Sequence, residues 1–523
     1  MFEKLYRKSG VFAWHLRKQT PENTVLSLPD LWRGNAQNGA NILHEQTALD
    51  ADEAFFSSCD WIKDVQTYGG TQARIFIRQK LDIWMQRHSR WSYQHWQPDI
   101  LAKRLLNLMF SYNWFASSAS AEFQQALIQS MVIQRACLSR DWSRIKNPMT
   151  QLTALTALIT VQVALIPQNR DETAETDTKL DRLVEALTRL TDAQLFADGG
   201  HISRQPETHY TVLQRLIECR TALGLAKMPP PVRLENHIQN MGRMIKFWRK
   251  PEMGFPHFHF AGRLHPSDID LIIGLSAPKG GIANRAVESG FCRLSSARTC
   301  LIMDTGASQT NQHINPAGRM SFELSVGGVP VIVNSGQTAS NHRLNAALCQ
   351  TAAHSTLGLD NHDSDSLSGA GRTITTACEV GEADTGQLCQ ATHDGYEKSH
   401  GILHTRSVFL AQSGKDIRGS DRLVYTGKPG EIPHFAVIRF HLHPRITAAM
   451  TGNQQVLLKL PRIRNRWMFK STDGELSLEP SVYLEAGIRQ NCQQIVLRLP
   501  LHDIQTVCEK AVNWAIRIYK SPQ

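Results

Sequence analysis

The chain of 523 residues has no CxxC pair, no zinc-finger spacing and no long block of Lys and Arg, although its formal net charge is +10. Its ten cysteines, from Cys59 to Cys508, are spread singly, which suits isolated thiols in a reducing compartment and excludes a dense disulfide framework. With no RNP-like aromatic strand either, nucleic acid is not an expected partner. No stretch approaches the roughly 18 apolar residues of a membrane-crossing helix, so no integral membrane segment is expected. The basic, aromatic start MFEKLYRKSGVFAWHLRKQ lacks the apolar centre of a secretory signal. It reads as a packed helix, with contact to acidic lipid as the alternative. The expected location is the cytoplasm, with peripheral membrane association or the periplasm as alternatives.

What is present is an ordinary folding composition, 41% hydrophobic and 20% charged, in a chain longer than one core usually organises. A basic surplus, with a sequence pI near 9.1, favours anionic partners, including acidic polysaccharide. From about residue 50 to 250 the pattern is helical. Thr71 to Arg87 places Ile75, Ile77, Leu81 and Trp84 at helical spacing, Pro98 to Phe115 does likewise, and Gln151 to Leu165 reads as a buried helix. The acidic piece Asp171 to Asp177 is expected to be a solvated loop. From about Phe291 the chain turns to short β-branched runs bounded by Gly, Pro, Asn and Asp, such as MSFELSVGGVPVIVNSG and HFAVIRFHLHP. The expected domains are an N-terminal segment over 1–45, a helical array or toroid over 46–285 and an antiparallel β-sandwich over 286–523.

Between helical stretches lies Phe196 to Tyr210, FADGGHISRQPETHY. Two glycines and a proline break helical propensity, and Asp198, His201, Ser203, Arg204, Glu207 and His209 can move protons or hold an anion. The plain alternative is a helix end followed by the cap of the next helix. Both can hold together, because a helix N-terminus itself suits an anion.

Several strings together resemble the heparinase II/III family of polysaccharide lyases: DWIKDVQTYGG (60–70), WQPDILAKRLLN (96–107), FADGGHISRQPE (196–207), AGRMSFELSVGGVPVIVNSG (317–336), TAAHSTLGLD (351–360), HDGYEKSHGILHTRSVFL (393–410), RFHLHP (439–444) and LEPSVY (478–483). The resemblance implies an (α/α) toroid of paired helices followed by an antiparallel β-sandwich. It also implies β-elimination of a uronate-containing polysaccharide or oligosaccharide. Elimination needs a group that neutralises the sugar carboxylate, a base for the C5 proton and an acid for the leaving oxygen. His201 matches the family's catalytic His, with Gly200 where some members carry Asn, and Arg204 offers a carboxylate-sized fork. Family members carry a tyrosine some fifty residues later; here MGFPHFHFAGR (253–263) offers His257 as catalytic candidate and His259 beside it. Tyr396 is the candidate acid, and Glu207, His209, His259, His354 and His393 are candidate substrate contacts. The family's His-x-His-x-Asp-like string is replaced by QHINPAGRMSFEL, with Ile314, Pro316 and Gly318 at those places, His313 out of register and Asn334 for the later Asp. No metal or other cofactor is therefore expected. His441 and His443 share one strand face, a metal-compatible spacing without a third ligand, and are read as structural. The alternative function is a noncatalytic protein that binds acidic glycan or associates with the envelope.

Overall fold

The computed structural model describes residues 7, 23–25, 27–45, 52–88, 90–167, 173–250, 254–259, 264–307, 316–336, 342–365, 376–427, 430–452, 454–485 and 488–519. Most of the amino-terminal segment, residues 260–263, and His313 with Ile314 lie outside that set. The chain divides into two compact units: Met1–Gln194 with Thr211–Ile238, and Leu195–Tyr210 with Gln239–Gln523. Among the described residues no helix is long and apolar enough to cross a membrane.

In the first unit the central helix is Pro148–Ala164. It carries no charge, and it is buried at nearly every position from Leu152 to Ala164. Asn147 caps it by accepting from the Thr150 N–H at 3.0 Å, and Pro148 occupies the first turn, where its missing N–H costs nothing. The helices Pro98–Phe115, Ala121–Asp141 and Thr173–Asp192 pack around it. In Thr71–His88 the buried stripe is Ala73, Ile77, Leu81 and Trp84, with Phe76 alongside. Ile75, expected inward, is 38% exposed because two residues at about 100° each turn it away from Ile77. The acidic piece expected as a loop through Asp177 is helical from Thr173 onward.

The second unit holds two antiparallel sheets. One runs in the spatial order Thr447–Gly452, Gln455–Lys459, Trp467–Ser471, Glu509–Ile518, Asp416–Tyr425, Ile402–Ala411, Gly386–His393, Thr376–Ala383. The other runs Glu475–Glu485, Ile488–Pro500, Phe435–Leu442, Val329–Val333, Phe322–Val326, Thr299–Asp304, Phe291–Ser296, Arg285–Ala286, with Leu357–Leu359 also paired to Phe435–Leu442. Phe322–Val326 and Val329–Val333 are buried at every position, as central strands covered on both faces are. In Asp416–Tyr425, by contrast, Ile417, Asp421 and Leu423 point inward while Arg418 and Arg422 face out.

Between the sheets, Phe322 stacks on Trp514 at 5.6 Å and Phe440 meets Trp514 edge-on at 5.0 Å. Gly419 makes room for that indole, since a Cβ there would lie 2.0 Å from the Trp514 ring. A buried ion pair, Arg406 with Asp421, sits in this apolar core. Asp421 accepts from Arg406 Nε at 2.7 Å, from His404 Nε2 at 2.8 Å and from the Trp514 indole at 3.0 Å, while Arg406 also donates to the Met320 and Ser355 carbonyls. Asp421→Ala would leave a buried guanidinium unpaired. It should cost about 3–5 kcal/mol of unfolding free energy by denaturant titration; a loss below about 1 kcal/mol would show that the network is not what holds the two sheets together.

Candidate functional site

FADGGHISRQPETHY folds as a tight loop entering the helix Pro206–Leu225. The Phe196 N–H bonds to the Gly200 carbonyl at 2.8 Å and the Gly199 N–H to the Phe196 carbonyl at 3.0 Å. Gly199 has φ +89°, and a Cβ there would lie 2.7 Å from the Asn240 carbonyl oxygen. Gly200 is fixed by a closer neighbour, because a Cβ would fall 1.8 Å from Ser289 Oγ. Asp198 holds Ser289 in place, accepting from its N–H at 2.7 Å and its hydroxyl at 2.6 Å. A side chain such as Asn at position 200 has no space here.

His201 is 3% exposed. Its Nδ1 accepts from the Ser203 N–H at 3.1 Å and lies 2.8 Å from Ser203 Oγ, whereas Nε2 is buried with no hydrogen-bond partner among the described residues. Burial pulls its pKa down to about 4, so it is neutral at pH 7. His209 donates from Nε2 to the Met241 carbonyl at 3.0 Å and meets Trp248 edge-on at 5.0 Å. Burial lowers it to about 3, and it is a core residue rather than a substrate contact. Glu207 sits in the first turn of its helix, where a carboxylate complements the helix dipole.

Arg204 is 1% exposed and adopts φ +57°, a left-handed conformation that non-glycine residues rarely hold. Its guanidinium pairs with Asp304, donates from Nε to the Ser289 carbonyl at 2.7 Å and from Nη2 to the Gly290 carbonyl at 2.9 Å, and lies over Phe291 at 4.8 Å. The fork expected to hold a substrate carboxylate thus holds one of the protein's own. His259 Nε2 lies 2.8 Å from the second oxygen of Asp304, whose first oxygen also accepts from the Gly306 N–H at 3.1 Å. Arg319 reaches that second oxygen at 3.9 Å and pairs with Asp365 at 2.8 Å. Burial alone would raise Asp304, but the surrounding Arg204, His259 and Arg319 hold its pKa far below the usual carboxylate range. His259 is lowered to about 4, first by burial, against the pull of Asp304.

Residues 278–515 match the family model described as Heparinase II/III-like, C-terminal. This stretch is a heparinase II/III-like C-terminal domain. The crystal structure of heparinase III overlays with a TM-score of 0.71 at 12% identity, covering 98% of this chain and 90% of that one. The heparan sulfate lyase HepC mutant from Pedobacter heparinus gives 0.66 at 14%, covering 98% and 88%. These likenesses show the fold: an α/α toroid and a β-sandwich. FtsZ-localized protein C of Caulobacter vibrioides is 24% identical over 462 residues, covering 84% of this chain and 77% of that protein.

Within the heparinase II/III-like domain, packing accounts for the residues that depart from the family strings. Gly318 carries no side chain because the His354 imidazole lies against it; a Cβ would be 2.6 Å from the ring. His354 in turn pairs through Nδ1 with the Gln350 carbonyl at 2.9 Å. Asn334 accepts from the Ser355 N–H at 2.9 Å. Tyr396, expected as the acid, is fully buried and donates its hydroxyl to the Leu357 carbonyl at 2.9 Å; burial raises its pKa. It is a core residue. His393 accepts from the Gly395 N–H at Nδ1, so its Nε2–H donates to His404, whose Nε2–H donates to Asp421. This orders neutral imidazoles inside the sandwich. His441 is likewise tied to Ser481 and to the Ala352 carbonyl.

The remaining candidate, His257, leads to residues that sequence reasoning missed. It stacks on Tyr483 at 5.3 Å with the planes 16° apart, and His443 meets the same phenol ring edge-on at 4.9 Å. Together with the buried Lys250–Glu323 pair they line a cavity of about 80 Å³. A tyrosine absent from residues 253–263 thus stands beside that segment, carried by the strand Glu475–Glu485. LEPSVY contains it, but nothing local in the sequence pairs it with His257. Asp304 had a signal: a carboxylate ending the wholly buried strand TCLIMD requires a buried partner. A wider groove of about 700 Å³ on the eight-stranded sheet, lined by Phe409, Arg418 and Trp514 among others, holds none of the expected site residues.

His201, His209, His259, His441 and His443 are all held near pKa 3–4, below the ordinary 6.5. The unfolded chain therefore binds more protons than the folded one below about pH 6.5, and stability falls as pH drops from there toward about 4. Unfolding free energy should decrease by at least about 1 kcal/mol per pH unit between pH 6 and 5, measured by denaturant titration. A flat profile would contradict the buried, neutral state of these rings.

Proposed function

We propose that this chain uses the heparinase fold to bind rather than to cleave, and that it acts at the FtsZ-dependent division apparatus. The observation that carries this is Arg204, whose guanidinium is closed off by Asp304 and by backbone carbonyls and so does not neutralise a substrate carboxylate. Without that neutralisation the C5 proton of a uronate stays too weakly acidic for removal. The burial of Tyr396 supports the same reading. The name of FtsZ-localized protein C, a relative over most of both chains, supports that location. The net charge of +10 favours an acidic glycan or another anionic envelope component as ligand.

One observation favours a second reading, an active lyase: His201 Nε2 is buried without a partner among the described residues, as a group awaiting a ligand would be. The two readings separate in one assay. Purified protein is incubated with a panel of uronate polymers, following ultraviolet absorbance of the unsaturated product with His201→Ala as control, while a fluorescent fusion is imaged with and without FtsZ. The binding reading expects no rise in absorbance and a signal that depends on FtsZ. A rise lost in His201→Ala would replace it with the lyase.

A further inference from the structure

The helical unit carries ligand-type side chains that nothing above uses. Glu53 opens the helix Glu53–Ser58, His88 closes Thr71–His88, and His95 lies in the turn before Pro98–Phe115. One ligand atom from each falls within 4.8 Å of the other two. His95 Nε2 is 3.0 Å from Glu53 Oε1, and the two imidazole rings approach to 3.8 Å between centroids at 42°. In a tetrahedral zinc site with bonds of about 2.0–2.1 Å, neighbouring ligand atoms lie about 3.3 Å apart. The His95–Glu53 edge already has nearly that length, whereas the His88 ring would have to swing away from the His95 ring, because two imidazoles on one zinc hold their centroids about 5 Å apart.

We infer that Glu53, His88 and His95 form a three-ligand site for a zinc-like divalent transition metal, with a fourth position open to solvent. The surroundings are built to orient such ligands. His95 Nδ1 lies 2.9 Å from Ser57 Oγ, which also receives the Trp84 indole N–H at 3.3 Å, and this fixes the ring with Nε2 toward Glu53. The backbone is anchored at both histidines: the His88 carbonyl accepts from Trp96 Nε1 at 3.2 Å, and the His95 carbonyl from Arg104 Nη1 at 3.0 Å. The Glu53 side chain is half exposed, which gives an ion a route in. A hydrogen bond between His95 and Glu53 would explain that pair alone. It does not explain a second imidazole placed against it. The buried guanidinium of Arg104, 4.1 Å over the Trp84 ring, opposes a cation nearby, so the carboxylate of Glu53 is the ligand the site can least lose.

The test uses the full chain stripped with a chelator. Zinc is titrated calorimetrically, and cobalt(II) is added in parallel to read coordination from its visible spectrum. One zinc per chain is expected, with a rise in Tm, and Glu53→Gln and His88→Gln should each weaken binding at least about tenfold. His95→Gln removes a buried residue and risks the fold, so the two more exposed variants carry the decision, with metal-free Tm as the folding control. No binding at micromolar zinc, or binding unchanged in both variants, would overturn the site.

Discussion

A single buried carboxylate, Asp304, organises the part of this molecule that looks most like chemistry. It ends a strand whose six residues are all buried, and an unpaired charge there would be costly. The chain answers with Arg204 from the 195–210 loop, His259 from the segment after the helix Val232–Trp248, and the Gly306 N–H. Three stretches distant in sequence are thereby fixed to one point. The left-handed backbone of Arg204 and the glycine pair before it follow from the same constraint, since the loop must pass against Ser289 to deliver the guanidinium. Strain of this kind persists where the surroundings over-determine it.

The same logic runs through the sandwich. Where the family strings would place reactive or metal-binding side chains, this domain has packing partners: Gly318 under His354, Asn334 on the Ser355 amide. Histidines that lie close enough to suggest a site are joined into the ordered chain that ends on Asp421. Burial keeps each of these rings in its neutral form. Groups held so far from their ordinary titration range are poor proton shuttles near pH 7, however suggestive their clustering in sequence.

Much of the architecture was legible because it rests on periodicity. The uncharged run from Pro148 to Ala164 could only be a buried helix, and the β-branched runs after Phe291 could only be strands. The errors were local. The side that Ile75 takes is set by its angle around the helix and not by its apolar character, and the helix starting at Thr173 opens on acidic and polar residues that carry no apolar stripe. The site was less legible, and for a different reason. Motif strings name residue types, whereas whether Arg204 faces a ligand or a buried Asp304 depends on a partner 100 residues away. Tyr483 beside His257 is the same case, a contact between segments that share no local pattern.

The most direct measurement is a double-mutant cycle on Arg204→Met and Asp304→Asn, reading unfolding free energy together with binding of an acidic oligosaccharide. The account predicts that each single change costs about 3–5 kcal/mol, that the double change costs clearly less than their sum, and that glycan binding by the folded fraction is unaffected. Small, additive losses of stability accompanied by loss of glycan binding would contradict it, and would return Arg204 to the role of a carboxylate receptor.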